Sequence, residues 1–158
     1  MKWNSMRIVL TLLACVPGLT ITAAAQHHSD RHCSLAGAAG KWAFTITGSI
    51  PAIGPVGAVG KFSQDASGNV TGTETRSLNG DIADETLTGT ATVNSDCSGT
   101  YTFQVFEGGV LARTSTIDVI FDDNGSQARA LFTSVVLPDG TSLPSILTVE
   151  ARRLFPKD

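Results

Sequence analysis

The residues best placed to do chemistry are Glu74 and Arg76, two positions apart in the run Val70 to Leu78. If that run is a strand with Val70 and Leu78 facing a core, alternation puts Gly72, Glu74 and Arg76 on the inner side. Turned over, it would bury Thr71, Thr73, Thr75 and Ser77 instead. A carboxylate and a guanidinium inside a barrel are costly unless paired, and Arg113, on the same face as Leu111, is the candidate third member. Such a set can orient a ligand or handle a proton. The plainer alternatives are a solvated strand and a structural ion pair at a barrel mouth. Tyr101 and Phe103 belong to the same expected interior and are candidate ligand contacts.

A second possible chemistry sits near the start of the chain. Cleavage before Gln26 would make His28 the third residue behind a free amine, and an amine, two amides and an imidazole suit Cu(II) or Ni(II) in a square plane. His27 and His32 could add to it, and the alternative is a polar leader with no metal role. All three histidines precede residue 33, so a Ser-His-Asp or Cys-His arrangement would have to recruit that leader. Asp122, Asp123 and Asn124 lack the spacing of a calcium loop and read as a turn. No glycine-rich phosphate loop is present and no cofactor is implied.

Residues 1–25 carry Lys2 and Arg7 ahead of an apolar stretch ending in Ala23-Ala24-Ala25, the pattern of a secretory signal. The stretch is broken by Pro17-Gly18 and is followed by no second apolar run, so no stable membrane span is expected. A competing reading takes Leu12-Leu13-Ala14-Cys15 as a lipoprotein box. Residues 26–39 read as a leader and 40–155 as the folded domain, which points to a secreted or periplasmic protein. The full chain has 11 basic and 14 acidic residues. Removing Lys2 and Arg7 leaves 9 against 14, a shift from −3 to −5. Without a basic stripe or stacking aromatics, nucleic acid is not the expected partner. Cys33 and Cys97 remain, and in an oxidising compartment an even pair is expected to form a disulfide.

The elements that must position these residues follow from a regular rhythm. Thr-, Val- and Phe-rich runs are cut by Gly, Asn and Asp turn signals, and eight runs can be counted. Trp42, Phe44 and Ile46 share one face of the first. A Gly/Pro-rich stretch from Gly48 to Gly57 leads to the second, at Ala58 to Phe62, and Val70 to Leu78 is the third. Leu87, Gly89, Ala91 and Val93 face inward in the fourth, Tyr101, Phe103 and Val105 in the fifth. In the sixth, Leu111, Ser115, Ile117, Val119 and Phe121 share a face. Gln127 to Val136 and Ser145 to Leu154 complete the set. Only Cys33 to Ala39 suits a short helical turn. Short consecutive connections predict an all-β fold, a single eight-stranded antiparallel up-and-down β-barrel whose closure removes exposed edges.

The segments Gly40 to Thr45, Gly60 to Val70 and Gly89 to Thr100 resemble a group of uncharacterised secreted bacterial proteins with a barrel similar to that of allene oxide cyclase, a calycin-like architecture. The resemblance implies the barrel. The cyclase's catalytic residues do not map one by one onto this chain, so no cyclase activity is carried over. An eight-stranded barrel is either filled by side chains or holds one small ligand. The expected function is therefore binding of a small hydrophobic molecule in the interior. The alternatives are a structural or surface-interaction protein with a packed barrel, for which Phe132, Val136 and Ile146 would supply an outer apolar patch, and a cyclase- or isomerase-like enzyme. Oligomeric state is left open by the sequence.

Overall fold

A computed structural model describes residues 33–122 and 125–154. The signal segment, Cys15, His27, His28, His32, Asp123 and Asn124 lie outside the described residues.

The eight expected strands are present: β1 (Gly40–Ile50), β2 (Gly54–Gln64), β3 (Asn69–Leu78), β4 (Asp81–Val93), β5 (Ser98–Glu107), β6 (Val110–Phe121), β7 (Gln127–Val136) and β8 (Ile146–Arg153). Each pairs antiparallel with its sequence neighbours, and β1 pairs with β8 to close the barrel. A four-residue helix, α1 (Leu35–Ala38), precedes β1, with the Ser34 side chain accepting a hydrogen bond from the Gly37 amide. Hairpin turns fall where positive φ is cheap, as at Asn79 (51°) and Gly80 (92°) between β3 and β4.

Three details depart from the sequence expectation. Strand β2 begins at Gly54 and pairs back to Ile50, so the connection expected over Gly48 to Gly57 shrinks to residues 51–53. In β6, Val105 faces Arg113 but Phe106 faces Leu111, which leaves Ala112 as an extra, bulged residue. The bulge turns Leu111 away from the face of Ser115 and Ile117, where the sequence had placed it, because one inserted residue flips every side chain beyond it. In β7 the register slips between Thr116 and Ile117, so that Thr133 is the extra residue. Phe132 therefore points inward opposite Ile117 and packs against the core, and it is not part of an outer patch. Val136 is half-buried and bridges to Ser142, while Ile146 is exposed.

The two ends of the barrel differ. At the end where β1 starts, Trp42, Phe62, Phe121 and Tyr101 pack as an aromatic plug, with ring centroids 5.9–6.2 Å apart along the chain of contacts. Helix α1 lies across this end. Trp42 Nε1 donates to Ala38 O at 3.0 Å, Gln64 Nε2 to Leu35 O at 3.3 Å, and Arg153 Nη1 to Ala39 O at 2.6 Å. The Arg153 guanidinium also sits 4.7 Å above the Trp42 ring, a cation–π placement. A Cys33–Cys97 disulfide ties the segment before α1 to the β4–β5 turn, with Cα atoms 4.9 Å apart. This end is sealed. Strands β7 and β8 pair only from Gln127 to Leu131, toward the sealed end, and at the opposite end the 137–145 connection, which carries Leu137 and Leu143, borders the space between them.

Candidate functional site

Alternation on β3 resolves the orientation left open by the sequence. Val70, Glu74 and Arg76 are buried, and Thr71, Thr73 and Thr75 are exposed. Glu74 fits inside because its neighbour on β2 is Gly60. A Cβ there would come within 2.8 Å of Glu74 Cβ and would also collide with the Phe44 ring. Glu74 faces Glu85 directly across the β3–β4 ladder, and Glu85 in turn faces Glu107 across β4–β5. Like charges in such positions repel unless cations intervene.

Two arginines supply that cation. Arg113, facing Val105 at the edge of the β6 bulge, sends Nη2 to Glu74 Oε1 at 2.7 Å and both Nη1 and Nη2 to Glu85 at 2.8 Å. Arg76 donates Nε to Glu85 Oε1 at 2.8 Å, and its Nη2 reaches the half-exposed Glu107 at 3.4 Å. Strands β3 to β6 thus carry a chain of charges along one side of the interior. The geometry brings Glu74, Arg76 and Arg113 together with a fourth member, Glu85, that the sequence reading missed.

The two inner carboxyls differ in protonation. Burial pushes Glu74 up, with Glu85 adding to the rise and Arg113 opposing it, to about 7. Burial also acts to raise Glu85, but the hydrogen bonds and charge of Arg113 and the Arg76 bond outweigh it and hold the group at about 2. The pair therefore shares one proton, held on Glu74, through the weakly acidic range. Stability linked to Glu85 is present above its ordinary value of 4.5 and lost as pH falls toward 2. The contribution of Glu74 has the opposite sign, being present below 4.5 and lost as pH rises through 7. Urea denaturation across pH should show a fall on the order of 3 kcal/mol between pH 4.5 and 7. Glu74→Gln should flatten that limb; an unchanged slope in the variant would remove Glu74 as its origin.

The charged chain forms one wall of a cup of about 220 Å³ at the end opposite α1. Arg76, Glu85, Glu107 and Arg113 make that wall. Ile46, Ile50, Leu147, Val135, Leu137 and Leu143, from β1, β7, β8 and the 137–145 connection, make the apolar one. Below it a smaller chamber of about 50 Å³ is lined by Phe44, Phe62, Leu87, Phe103, Val105 and Ser115, and it shares Arg113, Ile46 and Phe132 with the cup. Phe103 is thus at the inner chamber. Tyr101 lies apart from both, with its hydroxyl donating to Gln64 Oε1 at 2.5 Å and burial pushing its ionisation well above the ordinary range. A wider depression of about 600 Å³ on the outer face of β2–β4 is bordered by the exposed side chains of Lys61, Thr73, Thr75 and Asp84 and encloses nothing. Among the described residues, two buried side-chain polar atoms lack a hydrogen-bond partner, Arg76 Nη1 and Ser115 Oγ, and each belongs to a residue lining one of the two inner spaces.

The fold has relatives among solved structures. A redesigned β-barrel, mFAP1, bound to DFHBI is 18% identical, covering 76% of this chain and 98% of that one with a TM-score of 0.53. EF1p2_mFAP2b bound to DFHBI is 15% identical, covering 74% and 94%, with a TM-score of 0.51. Rv2717c from M. tuberculosis aligns over 77% of this chain and 95% of its own at 15% identity and a TM-score of 0.41. At these identities the likeness is one of fold. No protein-family model matches the chain, and no curated protein matches it.

Among the described residues no group of His, Cys, Asp and Glu side chains is arranged to hold a metal ion. No helix there is long and apolar enough to cross a membrane. The disulfide is consistent with an oxidising compartment.

Proposed function

We propose that this chain is an exported binding protein that takes a small, mainly apolar molecule into the cup, with Arg76 and Arg113 orienting it and Glu74 and Phe103 lining the chamber beneath. One observation carries the reading: a cavity walled on one side by aliphatic side chains and on the other by buried, mutually paired charges. Ligand sites commonly combine an apolar lining with a few fixed polar groups, and eight strands leave room for one small ligand. The fold-level likeness to barrels solved with a bound small molecule is compatible with it. Export through the signal at 1–25, a leader over 26–39, and kinship with secreted bacterial barrels of the allene oxide cyclase type belong to the same proposal. The disulfide supports the compartment.

The structural-protein alternative is weakened by the outer surface. Exposed Ile120 and Leu131 stand directly opposite Arg129 and Asp118, so charge breaks up the apolar face that a docking surface would need.

A thermal-shift screen of small lipophilic compounds tests the proposal. A ligand at a hundred times its Kd should stabilise the protein by about 2.7 kcal/mol. Ala58→Phe, which places a ring in the cup, should abolish the shift while the barrel remains folded. A ligand response unaffected by filling the cup would place binding elsewhere.

A further inference from the structure

We propose that the molecule taken by the cup carries a single anionic oxygen head group, of the kind a monocarboxylic acid presents, and that Arg76 receives it. This rests on the reading of the cup as a binding site and adds the chemical class of its occupant. Arg76 is the residue with donor capacity to spare. Its Nε is committed to Glu85 and its Nη2 makes only long contacts with rim carboxylates, Glu107 at 3.4 Å and Asp81 at 4.0 Å, while Nη1 is buried with no acceptor among the described residues. A guanidinium donor left unpaired inside a protein forfeits a charge-assisted hydrogen bond, and the fork geometry of arginine suits a carboxylate.

Charge balance points the same way. The fully interior members are Arg76, Arg113, Glu74 and Glu85. Below pH 7, with the shared proton held on Glu74, these carry one net positive charge, which an entering anion neutralises and an entering ammonium would worsen. Glu107 and Asp81, the two carboxylates that also pair with Arg76, are 52% and 81% exposed, so their partial compensation is screened by water and can be displaced. The facing wall, from Ile50, Leu143 and Leu147, offers only hydrocarbon contact. At about 220 Å³ the space suits a short or compact apolar body.

The test is a titration of the isotope-labelled, disulfide-bonded protein with octanoate, octan-1-ol and octylamine, followed by NMR amide shifts. The expected ranking puts octanoate at least tenfold tighter than octanol, with octylamine weakest and shifts centred on residues of the cup. Arg76→Met should erase the octanoate preference and leave octanol binding in place. Octanol equal to octanoate, octylamine tightest, or an undiminished octanoate preference in R76M would each overturn the head-group assignment and leave the cup reading standing. No cup shifts with any of the three would overturn the cup reading and this proposal with it. The wild-type ranking needs no variant, so the question is decided even if R76M fails to fold.

Discussion

Replacing Arg113 with Met is expected to remove about 3–5 kcal/mol of folding stability at pH 7, because it strands two buried carboxyls whose bonds to Arg113 are 2.7–2.8 Å long. The loss arises from what remains behind. Among the described residues, Glu85 would keep only Arg76 as a close cation, and Glu74 would keep none. Part of the cost should be recovered in acid, where Glu85 can take up a proton. Stability of the variant relative to the wild type should therefore improve as pH falls from 7 to 4. Urea denaturation at several pH values measures both effects, with an unchanged m-value confirming that the same surface unfolds. A loss below about 1 kcal/mol would mean that the two carboxyls find other partners and that Arg113 is not their anchor.

Opening the disulfide should have the second largest effect. Cys33 and Cys97 are 64 residues apart, and closing a loop of that length constrains the unfolded chain by about 4 kcal/mol in the chain-entropy account, within the 2–5 kcal/mol usual for removing a native bridge. The bridge also holds down the segment that α1 follows, so the cap bonds that Gln64, Trp42 and Arg153 donate to the carbonyls of Leu35, Ala38 and Ala39 should loosen with it. The midpoint of chemical denaturation of Cys97→Ser, compared with the oxidised wild type, measures the loss. An unchanged midpoint would mean the cap holds without its covalent tie. The binding proposed for the cup, at the other end of the barrel, should survive the substitution.

The fold was readable because turn chemistry and alternation agree. Asn79-Gly80 and Gly108-Gly109 supply the positive φ values that tight hairpins require, and Trp42, Phe44 and Ile46 alternate as a half-buried strand must. The polar site was readable only in part. Glu74, Arg76 and Arg113 stand out as charges on faces that otherwise look apolar. Glu85 was equally available by extending the inward series Leu87, Gly89, Ala91 two residues back, but the polar stretch after Asn79-Gly80 resembles a turn and hides the strand. The bulges at Ala112 and Thr133 leave no local mark, since a bulge is a mismatch between two strands and each strand alone looks regular. They nevertheless decide the facing of Leu111 and Phe132, and through them the lining of the cup.

An even number of up-and-down strands returns the chain to where it set out. The described residues enter beside α1 and leave through Arg153, both at the sealed pole, with the mouth at the far pole. A support, surface or fusion partner joined directly at Cys33 or Leu154, the two ends of the described residues, would therefore sit at the sealed pole, away from the mouth.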